Sequence, residues 1–338
     1  MAWLNHVRTD PLPWLLSDGN PAVRAATLQR LLGAPPDAPE VRQARAAAIA
    51  ADPIKSILAA QDPDGWWVKP GPGYGPKYLG TVWQVIFLDQ LGADSDHPQI
   101  ARACEYVLSW SHSTAGGFGA SAVGKEAQPS PSTVIHCLNG NLLRALIGFG
   151  RLDDERVRAA VEWAARTITG EGVPRWYASG TCGPGFACAA NEGSPCAWGA
   201  VKEMSALARI PPRRRTPLVR GAVDAGVAFL FSRDPALADY PMGWGNTKPN
   251  SSWFKPGFPI GYVTDVLQTL EVLAELGHAR DPRLARALDW VEAGQNARGE
   301  WVNRYAYNGK TWVDIERQGQ PSKWVTLRAC GVLKAAYG

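Results

Sequence analysis

Long apolar runs are missing from this 338-residue chain. No stretch of about 18 apolar residues occurs, so no segment reads as a membrane-spanning helix. The opening residues, Met1 to His6, lack the basic region and apolar core of a signal peptide, and a cytoplasmic protein is expected. Cysteine is sparse, at six residues, which argues against a secreted disulfide scaffold. Charge of one sign is also missing, since 35 Lys and Arg face 31 Asp and Glu. The densest basic run, Arg213-Arg214-Arg215, reads as a solvated helix terminus, so no nucleic-acid partner is expected. Nothing reads as a major strand or as a linker between domains.

What the chain does have is 46% hydrophobic residues, enough for a large core, and a regular series of helical patterns. Six of these run over 20–32, 77–91, 133–149, 196–210, 262–276 and 322–337. Each stops at a glycine or proline: Gly33, Gly92, Gly150, Pro211, Gly277 and Gly338. The stops recur about every 60 residues, the signature of an array. A second helix fits each interval, over 39–60, 97–111, 154–168, 214–232 and 281–294, with 3–17 as the sixth partner. Connections alternate between short and long. The long ones, 61–76, 112–132, 169–195, 233–259 and 295–321, fall on one end of an alternating array and are the expected place for function. Few charges mark the first helix set, as over 81–91, whereas Asp153 to Arg158 and Arg280 to Arg283 put charge on the second. The expected fold is all-α: one (α/α)6 barrel, or toroid, of six inner and six outer helices over residues 1–338.

Two segments share one spacing, Q-x-x-x-G-x-W: Gln61 to Trp67 and Gln295 to Trp301. Gly116-Gly117-Phe118-Gly119 and Gly243-Trp244-Gly245 look like degenerate copies. With the period of about 60, these motifs resemble the squalene–hopene cyclase and protein prenyltransferase β-subunit superfamily along essentially the whole chain, as a single-barrel relative. The resemblance implies that Gln61, Trp67, Gln295 and Trp301 tie outer helices to adjoining loops. Departures accompany it. The Asp-x-Asp-Asp acid of the bacterial cyclases is absent, as is the Asp-x-Cys of the prenyltransferase zinc site. No Asp-Asp-x-x-Asp cluster is present to hold magnesium.

Three constellations could carry chemistry. Cys182, Cys188 and Cys196 lie in or beside one long loop, and Cys137 lies early in the third inner helix. Adjacent inner helices start at one end, so these thiolates could converge on a tetrahedral zinc ion. Buried free thiols or one loop disulfide are the alternatives. The small terpenoid-alcohol dehydratase-isomerases also place cysteines near substrate in such a barrel, which would make Cys182 and Cys188 catalytic.

The second constellation is polar and sits where inner helices begin. Asp265 follows an aromatic run, and a carboxyl buried in an apolar barrel has its pKa raised, which suits a general acid. Asp265, His136 and Tyr262 are therefore the candidate catalytic residues, expected in one pocket. The alternatives are a helix-capping aspartate and an ordinary buried histidine. The third constellation is aromatic: of 15 tryptophans, Trp66, Trp67, Trp176, Trp244, Trp253, Trp301 and Trp312 lie in long loops. Indole faces stabilise cations. The candidate substrate-binding residues are Tyr78, Trp83, Trp198, Trp253, Tyr305, Tyr307, Trp312 and Lys323. Asn308-Gly309 suits a two-residue turn, so a small β-hairpin over 301–316 is expected as a lid.

The leading expectation is a terpenoid-transforming enzyme, an isomerase or lyase of the cyclase, isomerase or hydratase-dehydratase kind. Its substrate would be a small apolar molecule, an isoprenoid. Peripheral membrane contact is compatible with such a substrate, and the sequence assigns no oligomeric state. A carbohydrate-active (α/α)6 lyase or hydrolase and a non-enzymatic binding barrel are the other two readings.

Overall fold

The chain is described here by a computed structural model, which covers residues 1–122, 128–172 and 182–338. Trp176 and much of the 169–195 connection lie outside the described residues. The architecture is all-α, and no helix is long and apolar enough to cross a membrane among the described residues. The helices are α1 Leu12–Leu15, α2 Pro21–Arg30, α3 Pro39–Ile49, α4 Ile54–Ala59, α5 Thr81–Gln90, α6 Pro98–Trp110 and α7 His136–Gly148. They continue with α8 Glu155–Thr169, α9 Ala197–Ala208, α10 Pro217–Leu230, α11 Val266–Glu275, α12 Ala285–Ala293 and α13 Lys323–Tyr337.

The low-charge helices pack on one another in chain order: α5 on α7, α7 on α9, α9 on α11, α11 on α13, and α13 back on α2. Each also packs on a less buried partner, as α2 on α3, α5 on α6, α7 on α8, α9 on α10 and α11 on α12. α13 meets the N-terminal segment instead, where His6 stacks on Tyr337 with ring centroids 3.5 Å apart. Burial explains the division. Thr81 through Leu88 of α5 are all buried, whereas α8 buries one face and exposes the other. The glycine stops do what their positions suggest, because Gly33, Gly92, Gly150 and Gly277 all take positive φ, between 70° and 93°.

The partner helices are more broken than the sequence implies. Residues 39–60 form two helices, α3 and α4, because Pro53 has no N–H to donate and cannot continue the first. Residues 3–17 give a 3-10 helix, Ala2–His6, and the single turn of α1.

The two Q-x-x-x-G-x-W copies fold alike. Trp67 Nε1 donates to Ile57 O and Trp301 Nε1 to Val291 O, each at 2.8 Å. Their backbone N–H groups donate to Thr81 Oγ1 and Thr326 Oγ1, at 3.1 and 2.9 Å. The motifs thus fasten α4 to the start of α5 and α12 to the start of α13. Gln61 Nε2 donates to Gln99 O of α6 at 3.0 Å, and Gln295 Nε2 to His6 O of the N-terminal segment at 3.0 Å. The degenerate copy at Gly116-Gly117-Phe118 keeps the turn, with Phe118 N–H donating to Asn139 Oδ1 at 3.0 Å in place of a threonine.

The expected β-hairpin over 301–316 is not formed. Asn308 and Gly309 do turn the chain, but backbone groups there bond to side chains rather than to a facing strand. Gly309 N–H donates to Asp314 Oδ1 at 2.8 Å, and Asn308 Nδ2 donates to Glu316 O at 2.7 Å. Tyr307 turns inward against Tyr78, with centroids 4.2 Å apart, which pulls the segment out of register with any partner.

Glu316 closes this segment. It accepts from the Ser322 hydroxyl and from Asn303 Nδ2, and burial pushes its carboxyl up to about 7. The protonated form is therefore favoured in the fold. Its contribution to stability is full below the unfolded value near 4.5 and is lost as pH rises towards 7. Glu316→Gln should thus be more stable than wild type above pH 7, and the difference should shrink as the pH falls towards 4.5. Urea unfolding at several pH values checks this, and a difference that does not vary with pH would contradict it.

Candidate functional site

The loops entering α5, α7, α9 and α11 enclose a cavity of about 550 Å³. Its walls are Tyr74, Trp198, Tyr240, Trp253 and Tyr262, with Trp244 exposed at its rim. Trp198 sits in the first turn of α9. Trp253 belongs to the aromatic run, where the chain forms a 3-10 helix, Ser251–Phe254, capped by Asn250. Tyr240 packs its ring, tilted by 39°, 5.4 Å from that of Trp253 and donates its hydroxyl to Leu230 O at 2.8 Å, which fixes that wall to the end of α10. A volume of this size is that of a small-molecule site.

Lys77 stands at the mouth. Its Nζ lies 5.1 Å from the Tyr262 ring centroid and 5.2 Å from that of Tyr78, and partial burial pushes its ammonium pKa down. Burial raises the Tyr262 phenol well above its ordinary value, and its hydroxyl makes no hydrogen bond of normal geometry. The near neighbour of that hydroxyl is Tyr74, whose own phenol is raised by burial.

His136 begins α7 and is 1% exposed. Its Nδ1 lies 3.3 Å from Glu203 Oε1, and its Nε2 3.4 Å from Gly183 O. Glu203 is fully buried in α9; desolvation raises its carboxyl, against hydrogen bonds from His136 and Asn139 that lower it. Gly199 makes room for the ring, since a Cβ there would come within 2.8 Å of His136 Cβ. Lys202 is buried beneath the same wall. Its Nζ donates to Val263 O at 3.3 Å and to Gln268, and desolvation pushes its amine down to about 7.

The structure brings His136 and Tyr262 to this cavity but not Asp265. Asp265 is the N-cap of α11. Its Oδ1 accepts from Gln268 N–H at 2.7 Å, its Oδ2 from Gly257 N–H at 3.2 Å, and it pairs with Arg328 at 3.3 Å. These contacts make Asp265 a helix cap and the partner of Arg328, outside the pocket.

Among the candidate substrate-binding residues, Trp198 and Trp253 line the cavity. Trp83, Tyr78, Tyr307 and Tyr305 form an aromatic cluster behind it, with Trp83 5.0 Å from Tyr262. Trp312 is 41% exposed and donates to Leu79 O, and Lys323 donates to Ser17 beside the Trp14 ring. Both lie away from the cavity. Tyr74, Tyr240 and Asn250 were not expected there. They occupy irregular segments where periodicity carries no signal.

Cys137, Cys182, Cys188 and Cys196 all line the cavity, and all are free thiols. Their sulfurs form a chain of neighbours, Cys182 to Cys188 to Cys196 to Cys137. Cys137 and Cys196 do face each other across α7 and α9, but the expected zinc set is not assembled. No group of three or more His, Cys, Asp or Glu is arranged to hold a metal ion among the described residues. A chain in which each sulfur meets one or two others differs from four sulfurs converging on a point. Hydrogen bonds from Cys182 and Cys196 hold the Cys188 thiol far below its ordinary pKa, while Cys182 is raised by the same bond.

No protein-family model matches this chain, and no curated protein matches it. Solved structures do overlap it. The apo form of type II terpene cyclase MstE from Scytonema is 15% identical, covers 86% of this chain and 96% of its own, and has a TM-score of 0.31. A variant of that enzyme in complex with geranylgeranyl dihydroxybenzoate (substrate) is 13% identical, with coverages of 83% and 94% and a TM-score of 0.32. A variant with merosterolic acid A (product) is 14% identical, with the same coverages and TM-score. At TM-scores this low, these likenesses support no statement about the reaction of this chain.

Proposed function

We propose that the chain is one (α/α)6 toroid over residues 1–338 and an enzyme that transforms a small isoprenoid, as an isomerase or a hydratase-dehydratase. The observation that carries this reading is the cavity wall. It is rich in aromatic rings, namely Tyr74, Trp198, Tyr240, Trp244, Trp253 and Tyr262, it has the volume of a small ligand, and among the described residues its lining includes no Asp or Glu. Each aromatic face stabilises a developing carbocation by roughly 0.5–2 kcal/mol. Protonating an alkene needs a strong acid such as a neutral carboxylic acid, and none lies among the described lining residues, so chemistry on an alcohol is the reading taken here. An alcohol oxygen needs less. Lys77 is placed at the mouth to give its proton to a substrate hydroxyl as the C–O bond breaks and its electron pair leaves with oxygen as water. The released water takes a proton from the adjacent carbon and returns it to Lys77, while His136, whose two nitrogens face Glu203 and Gly183 O, is part of the wall. A glycoside hydrolase uses two carboxyl groups in most families, and among the described residues the lining carries none.

Two measurements test this. Titration with prenyl alcohols should quench the fluorescence of Trp198, Trp244 and Trp253, and mass spectrometry of a solvent extract should find an isoprenoid. A glycan in the extract and no quenching would sink the reading. Lys77→Met should then lower turnover of the alcohol that binds by about 10²-fold or more with little change in binding.

A further inference from the structure

The chain of four thiols has no task in the reaction above. Cys182 and Cys188 face each other across an antiparallel bridge, with Gly183 N–H donating to Ala187 O at 2.9 Å between them. That bond marks a pair whose own backbone groups do not bond to each other, and such pairs hold their Cα atoms about 4.5 Å apart. Disulfides span Cα separations of about 4.4–6.8 Å, so the two sulfurs can join without moving the backbone. The two are not equivalent. Cys182 is 2% exposed and accepts from His136 N–H at 3.1 Å, whereas Cys188 is half-buried and so the more accessible of two sulfurs on the cavity wall.

We propose that Cys188 and Cys182 form a redox-active dithiol that exchanges with small-molecule disulfides entering the cavity, Cys188 attacking and Cys182 resolving. In the first step the Cys188 thiolate bonds to one sulfur of the small disulfide, whose S–S bond breaks and releases a thiolate. In the second, Cys182 gives up its proton and bonds to Cys188 Sγ, and the other half of the reagent leaves as a thiolate. Protons from the two cysteines convert both leaving groups to thiols. The dithiol has lost two electrons and two protons, and the small disulfide has gained them. Access selects the attacking sulfur, because Cys188 is the more exposed of the two and Cys182 is 2% exposed. The inference is independent of the isoprenoid reading, because its readout is thiol chemistry without turnover.

The probe is oxidised glutathione, applied to full-length protein that was reduced and then freed of reductant. Cys137→Ser/Cys196→Ser leaves the bridge pair with buried Cys104 and Cys330. This variant should lose two thiols and two hydrogens with no retained adduct. Adding Cys182→Ser should trap one glutathionyl group on Cys188. Adding Cys188→Ser instead should abolish the reaction. The unmodified chain gives a check that needs no substitution: alkylation should label Cys188 at least about tenfold faster than Cys104 or Cys330. The proposal is overturned by equal trapping on Cys182 and Cys188, by no loss of thiols, or by slow alkylation of Cys188. Close to one equivalent of zinc in untreated protein, with thiols that react only after chelation, would also overturn it in favour of a metal site.

Discussion

Gly140→Ala should destabilise the protein by about 2–3 kcal/mol or more, although the same substitution in an open helix is favourable. Gly140 lies inside α7, where α7 packs on α9. A Cβ at that position would meet the backbone of Lys202 and Glu203, within 2.6 Å of the Lys202 carbonyl oxygen. A side chain can rotate away from a clash of that kind, whereas a neighbouring helix backbone cannot. The helices would have to separate, and this pair carries His136 and Cys137 on one side and Cys196 and Trp198 on the other. Gly331 provides the control. It lies inside α13, and a Cβ there would meet nothing within 4 Å. Gly331→Ala should therefore stabilise by about 0.5–1 kcal/mol. The opposite signs, read from urea midpoints, test whether α7 and α9 touch at this point. A Gly140→Ala protein as stable as wild type would show that they do not.

How far the sequence could be read depended on whether a feature was local. Helix ends were legible because Gly33, Gly92, Gly150 and Gly277 need only their own positive φ. The Q-x-x-x-G-x-W motif was legible because both copies carry the same tryptophan and glycine, and the tryptophan bonds ten residues back in each. The role of Asp265 was not legible. Its local context, an aromatic run before an apolar helix, suits either a buried acid or a cap. The choice rests on Arg328, 63 residues away in sequence, whose guanidinium reaches Asp265 across the packing of α11 on α13. The 301–316 segment failed for a related reason. Its alternation of apolar and polar residues is real, but the fate of its backbone is decided by long-range side-chain partners such as Tyr78 and by Asn308 and Asp314. Tyr74, Lys77 and Tyr240 lie in irregular segments, where spacing cannot say which way a side chain turns.

Removing Arg328 should be among the most damaging single changes in the chain, because it would leave two carboxylates without their partner. The side chain of Arg328 is 3% exposed, and those of Asp265 and Glu271 are 8% and 22% exposed. Its Nη2 lies 2.7 Å from Glu271 Oε2 and its Nη1 donates to Gly257 O at 2.7 Å, so one guanidinium ties α11, α13 and the loop entering α11. Breaking a buried pair by deleting one partner costs about 3–5 kcal/mol, since the remaining charge loses both its counter-ion and water. Arg328→Met should show a loss of that order in urea unfolding. If the cause is the stranded charge rather than lost packing, neutralising the acids should restore part of the loss. Asp265→Asn is suited to this, because asparagine caps a helix about as well as aspartate and should preserve the bond from Gln268 N–H. The triple variant Arg328→Met/Asp265→Asn/Glu271→Gln should therefore be clearly more stable than Arg328→Met alone. An Arg328→Met loss below about 1 kcal/mol, in the range of an exposed pair, would mean that the three groups are solvated. Failure of the neutralised variant to recover would place the loss in packing or in the Gly257 contact.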